Sequence, residues 1–67
     1  MSTWFVERRL EWIRESVEIF GRINREHVMQ KFGISAPQVS VDFAEVERRW
    51  PEMMRYDKNI KCYVRNR

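Results

Sequence analysis

Sixty-seven residues include only one cysteine, one histidine, two glycines and two prolines, and these scarcities close off several ways of building or using a small fold. A lone cysteine cannot form an intramolecular disulfide, and one cysteine with one histidine falls short of the four ligands of a structural zinc site. The chain therefore suits a reducing cytosol. No apolar run approaches the ~18 residues needed to span a bilayer. The N-terminus also lacks a basic segment followed by an apolar one, so a soluble cytoplasmic protein is expected. His27 has no Cys, Asp or Ser constellation to act with, and the carboxylates show no spacing suited to general acid–base work. Neither catalysis nor a metal or other cofactor is expected. Repeats, low-complexity tracts and linkers are missing too, which leaves one domain over residues 1–67.

What the chain does have is aromatic: three Trp, four Phe and two Tyr. A domain this small buries only about 60% of the surface its unfolded chain exposes. These rings must therefore carry much of the core, and association with a copy or a partner would add to it. The net charge of +3 is unevenly placed. Residues 1–20 hold three basic and four acidic side chains, and residues 21–47 hold the same numbers. Residues 48–67 hold seven basic ones (Arg48, Arg49, Arg55, Lys58, Lys61, Arg65, Arg67) against Glu52 and Asp57. Such an excess suits phosphate groups. For Arg65 and Arg67 a solvated tail is an equal alternative.

Apolar spacing predicts a first helix from about Trp4 to Phe20, capped by Thr3 or Ser2. Val6, Leu10, Ile13, Val17 and Phe20 recur at steps of three and four and make one stripe. Phe5, Trp12 and Ile19, spaced by sevens, make a second stripe roughly 100° round the helix. Two readings of it stand: a second core face covered by other elements, or an exposed ridge that makes a symmetric dimer. Glu7, Glu11 and Glu18 take the opposite side, where they would repel phosphate.

Gly21 ends this helix, Arg22-Ile23 makes a short extended link, and Asn24 caps a second helix over about Arg25 to Phe32. Val28, Met29 and Phe32 face inward on it. Gly33-Ile34-Ser35 is a three-residue turn: Gly33 supplies the positive φ that stops a helix sharply, and Ile34 plugs the corner. Ser35 and Gln38 have the spacing of a capping box, and Pro37 sits in the first turn, where its missing N–H costs little. The third helix runs from about Ala36 to Arg49, buries Val39, Phe43, Val46 and Trp50, and stops at Pro51. Met54-Arg55-Tyr56 and Ile60-Lys61-Cys62-Tyr63-Val64 then alternate as strands around Asp57-Lys58-Asn59, a turn sequence, with Cys62 packing inward. The fold class is mainly α with a small β-hairpin: a winged helix-turn-helix of three helices plus a wing. Two short helices at a steep angle are a usual way to present a helix to the major groove.

Asn24-Arg25-Glu26, Phe32-Gly33-Ile34-Ser35, Pro37-Gln38-Val39-Ser40, Asp42-Phe43, Tyr56-Asp57 and Tyr63-Val64 resemble the N-terminal winged-helix domain of WYL-domain transcriptional regulators. That group includes repressors linked to bacterial phage-defence islands. The Ser35-x-x-x-Val39-x-x-Asp42-Phe43 run is also similar to the DeoR-type recognition helix, and the resemblance covers roughly residues 8–64. It implies a bacterial or phage DNA-binding module, a repressor acting as a dimer on an inverted repeat. The family's downstream ligand-sensing and dimerisation domains do not follow here, so the expectation is a free-standing module or an excised domain. DeoR-type recognition helices commonly carry basic residues beside the Asp, whereas Ser40 and Val41 stand there in this chain, and no Lys or Arg precedes Arg48.

The positions facing outward from the third helix are then Ala36, Pro37, Gln38, Ser40, Val41 and Ala44. Gln38 can pair with adenine, Ser40 with bases or phosphates, and Val41 with thymine methyls; for Gln38 the competing role is the cap alone. Arg25 at the start of the second helix, and Arg55, Lys58, Asn59 and Lys61 in or beside the wing, are the phosphate candidates. Charged hairpin edges also occur simply to prevent edge-to-edge pairing. Double-stranded DNA is the expected partner. The alternative is a winged-helix protein-interaction module, such as a small phage-encoded inhibitor of a host complex. It draws on the weakly basic recognition helix, the outward Val41 and the many Trp.

Overall fold

Leu10, Ile13 and Val17 recur at the steps that align side chains on one helical face, and all three are completely buried. In the computed structural model, which describes residues 3–66, they belong to α1 (Thr3–Phe20). It is followed by β1 (Arg22–Ile23), α2 (Arg25–Phe32), α3 (Ala36–Arg49), β2 (Met54–Asp57) and β3 (Cys62–Arg65). The alternative cap Ser2 and the tail residue Arg67 lie outside the described residues. Thr3 is itself helical. This is the winged helix-turn-helix order, three helices and a small sheet.

Each boundary has a local cause. The Asn24 side chain accepts the His27 N–H at 2.9 Å and starts α2. Gly33 (φ 63°, ψ 41°) ends it, and the Gly33 and Ile34 N–H groups both donate to the Met29 carbonyl, at 2.7 and 3.3 Å. Ser35 caps α3 by accepting the Gln38 N–H at 3.4 Å. The reciprocal half of the capping box does not form, because the Gln38 side chain turns towards Asp42 instead.

The sheet has the order β1-β3-β2, all antiparallel, with Ile23, Tyr63 and Tyr56 abreast on one face. Val39, Phe43 and Val46 of α3, Val28 of α2, Ile23 and Met54 complete the core with the three α1 residues. Each such side chain contributes roughly 1.5–3 kcal/mol relative to leaving it in water. Tyr63 packs on Phe43 with ring centroids 4.5 Å apart, which ties the wing to α3.

Several expected placements differ. Phe20 is not in the core but 76% exposed, because the chain turns at Gly21 (φ 86°) and Ile23 is the side chain buried there. The second α1 stripe divides: Trp12 packs edge-on against Phe32, with centroids 5.6 Å apart, while Phe5 and Ile19 stay exposed. Glu7 does not face away from the fold, since it receives Arg49 of α3 at 2.8 Å. Trp50 is only half-buried, with the Arg14 guanidinium 5.4 Å from its ring centre. On β3 it is Tyr63, not Cys62, that packs on the core; Cys62 is half-buried and its Sγ lies 3.4 Å from the Ile60 carbonyl. Arg65 is no loose tail: it donates to the Glu18 carbonyl at 2.8 Å.

Candidate nucleic-acid interface

The connection between β2 and β3 is held by its own backbone. Asn59 N–H donates to the Asp57 carboxylate at 2.9 Å, and Lys61 N–H donates to the Asp57 carbonyl at 2.8 Å. Lys61 itself takes the left-handed conformation (φ 57°), so the strands begin later than alternation suggests, and the turn extends over residues 58–61. Here the wing leans towards α3. Asn24, Arg25 and Glu26 from the start of α2, Ser40 and Phe43 from α3, and Tyr56, Lys61 and Tyr63 from the wing line one open cleft. Three of the expected contact residues, Arg25, Ser40 and Lys61, thus meet at one place. Lys58 and Asn59 stand outside this lining at the tip, and both are exposed.

Arg55 points elsewhere. It pairs across from Val64, which on its other side faces Arg22, so Arg22 and Arg55 flank Val64 on the outer face of the sheet. Arg22 was not among the expected contacts, because its place beside the wing depends on a two-residue strand pairing with a segment far along the chain, Arg22 with Val64.

On α3 ahead of its basic end the exposed residues are Pro37, Ser40, Val41 and Ala44, with Val41 63% exposed, while Ala36 and Gln38 are half-buried. The basic end of the helix is engaged elsewhere. Glu45 accepts from Arg48 and from Arg49, the latter at 2.9 Å, and its carboxyl is held down to about 2, chiefly by the Arg48 bond and then by Arg49. The Arg49 bond likewise lowers Glu7, and Arg48 and Arg49 are raised in return by their glutamates. The Tyr63 hydroxyl donates to Glu47 at 3.3 Å and is raised above its ordinary value, first by burial and then by that carboxylate.

A charge partition results. Arg8, Arg9, Arg14, Arg48 and Arg49 are all paired with acids inside the fold. Among the described residues, Arg22, Arg25, Lys31, Arg55, Lys58, Lys61 and Arg65 make no ion pair and are exposed; Lys31 lies over the Trp12 ring and Arg65 donates to a carbonyl. The unpaired cations of the wing and β1 are therefore open to an anionic partner, and Arg25 stands at the cleft's edge beside exposed Glu26.

Sequence reasoning missed the buried polar centre. Arg9 of α1 donates to Asp42 of α3 through Nε at 2.7 Å and Nη2 at 3.2 Å, and Gln38 Nε2 donates to Asp42 Oδ1 at 3.1 Å. One signal was present: Asp42 stands three residues after Val39 and four before Val46, on the buried stripe itself.

Comparison with known proteins agrees with this architecture. The DNA-binding transcriptional repressor CapW of Escherichia coli (strain KTE188) is 40% identical over 62 residues, which cover 92% of this chain and 21% of that protein. The CapW repressor of Pseudomonas aeruginosa is 38% identical over the same shares. That of Stenotrophomonas maltophilia is 38% identical over 61 residues, 91% of this chain and 20% of the relative. The chain thus spans about a fifth of the length of the curated relatives it matches. Residues 5–67 match the winged helix-turn-helix domain of BrxR transcriptional regulators, and the chain belongs to that family.

Proposed function

We propose that this chain binds double-stranded DNA sequence-specifically and serves as the DNA-reading part of a transcriptional repressor of bacterial or phage origin. The observation that carries it is the charge partition: cations on α1 and α3 are neutralised within the fold, while Arg25 and Lys61 border the cleft beside Ser40 with no ion pair. Helix α3 enters the major groove, with Gln38, Ser40 and Val41 nearest the bases. Arg25, Lys58, Asn59 and Lys61 contact phosphates, and Arg55 with Arg22 adds charge on the outer face of the wing. The similarity to CapW repressors supports this reading, and so does the resemblance to WYL-domain regulators, in which such a module is one part of a longer chain.

The test is binding of a labelled duplex of random sequence, followed by fluorescence anisotropy across a salt series. Affinity should fall steeply with salt, by a log–log slope of about 0.9 per phosphate neutralised. The Arg25→Ala/Lys58→Ala/Lys61→Ala variant should flatten that slope while its circular dichroism stays that of the parent. Absence of binding even at low salt would overturn the proposal in favour of the protein-interaction module.

A homodimer is the second part of the proposal. Phe5, Arg8, Trp12, Glu15 and Ile19 share one face of α1, in the order apolar, basic, apolar, acidic, apolar. Phe5 and Ile19 are exposed, Glu15 makes no ion pair among the described residues, and Arg8 can exchange its exposed 3.4 Å pair with Glu11 for Glu15 of the copy. This pattern complements itself when a second copy lies antiparallel.

A further inference from the structure

A glutamine side chain is ambivalent: rotating the amide by half a turn exchanges a donor for an acceptor. On its own Gln38 would tolerate bases that present either kind of group. Its neighbours remove that freedom. The Arg9 fork donates two bonds to Asp42, which is 2% exposed, so Asp42 meets Gln38 as a carboxylate that can only accept. The group within 3.1 Å of Asp42 Oδ1 must then be the Gln38 NH₂. Gln38 Oε1 accepts no bond among the described residues, yet no buried side-chain polar atom there lacks a partner. That oxygen is therefore open to solvent.

We propose that Arg9 and Asp42 are positioning residues that lock Gln38 with its amide oxygen outward, so that α3 reads an amino group in the major groove at one position of its site. This rests on the DNA-binding reading given above. An outward oxygen accepts from the N6 amino group of adenine or the N4 amino group of cytosine, and it meets the O6 of guanine or the O4 of thymine as acceptor against acceptor. The second N–H of the Gln38 amide stays beside the oxygen, an edge that complements N6 and N7 of adenine, so adenine is the favoured base. The buried pair, though itself remote from solvent, sets which base an exposed residue accepts.

The same geometry predicts a loosening. Oδ1 of Asp42 accepts from both Arg9 Nη2 and Gln38 Nε2, while Oδ2 accepts from Arg9 Nε. Asp42→Asn leaves one oxygen for these three donors, and either orientation of the new amide keeps one Arg9 bond, so Gln38 meets an oxygen in one orientation and a nitrogen in the other. The preference for an amino-bearing base over a carbonyl-bearing one should shrink.

The experiment selects a bound site for the 67-residue chain from a randomised duplex library. It then measures dissociation constants for duplexes differing at each position of that site. Wild type should prefer adenine over guanine at one position by roughly tenfold or more. Gln38→Ala should abolish that preference alone. Asp42→Asn should shrink it, and the paired change Arg9→Met/Asp42→Leu, which removes the buried charges together and keeps an apolar contact, should erase it. The salt slope on random duplex should not change in any of them, a readout that loss of structure would move. Retention of the full wild-type preference in either Asp42 variant would overturn the lock and leave DNA binding standing. Failure of wild type to bind any duplex would overturn both.

Discussion

Arg9 and Asp42, 33 residues apart, meet in a two-bond fork between α1 and α3, and both are buried. Taking two charges from water is expensive, and the fork with Gln38 satisfies what would otherwise be an uncompensated carboxylate. Removing one partner is therefore far worse than removing both. Asp42→Ala should cost about 3–5 kcal/mol, a large share of the stability of so small a domain. Arg9→Met/Asp42→Leu should stay close to the parent or exceed it. Urea unfolding followed by circular dichroism measures both, and equal stabilities for the single and paired variants would refute the account.

Much of the fold was legible because its signals are local. Asn24, Gly33, Ser35, Pro37 and Pro51 each set a boundary through their own backbone chemistry, and the structure places those boundaries where their types require. The wing was legible from alternation, although its turn reaches Lys61 because Asp57 organises more of the loop than a three-residue turn needs. What escaped depends on how the helices cross. Nothing within α1 says that Glu7 will meet Arg49, or that Trp12 but not Phe5 will find an aromatic neighbour on α2. Gln38 was assigned two roles from spacing, the cap and the base. Its actual partner, Asp42, becomes decisive only once Arg9 is known to stand behind it.

The Glu7–Arg49–Glu45–Arg48 cluster makes stability depend on acid pH. Glu45 titrates at about 2 in the folded chain against an ordinary 4.5, and Glu7 is lowered as well. A depressed carboxyl stabilises the fold fully above its unfolded value and loses that contribution as pH falls towards its folded one. The melting temperature should therefore decline from about pH 4.5 to about pH 2 through this cluster. In Glu45→Gln that part of the decline should vanish, so the gap between variant and parent closes at the acid end. Because these groups are exposed, the gap should also narrow in high salt. A gap independent of both pH and salt would show that the pairs do not stabilise the fold.

Gly33 is needed for its backbone rather than its size. A Cβ added there meets nothing within 4 Å, yet φ is 63°, where an L side chain crowds its own carbonyl. Gly33→Ala should destabilise by about 1–2 kcal/mol. Gly33→Asn should lose less, since asparagine tolerates this conformation. Urea midpoints for the two variants decide it: an alanine variant as stable as the parent would mean that the turn relaxes without strain.

The α1 ridge makes a prediction that depends on register. In an antiparallel pair, Phe5 of one copy meets Ile19 of the other, Trp12 meets Trp12 near the two-fold axis, and Arg8 meets Glu15 twice. A parallel pair would instead set Arg8 against Arg8. Sedimentation equilibrium should show reversible dimerisation that Arg8→Glu weakens by about tenfold, from two symmetric pairs at ~0.5–1 kcal/mol each. The Arg8→Glu/Glu15→Arg variant should associate as the parent does, because exchanging the signs restores both pairs. Half-buried Trp12 already contacts Phe32 and carries the Lys31 ammonium 5.8 Å from its ring centre, so a Trp12 substitution would disturb the fold as well. The charge exchange avoids that difficulty. A dimer indifferent to it uses another face, and a chain that stays monomeric at high concentration has no such pairing.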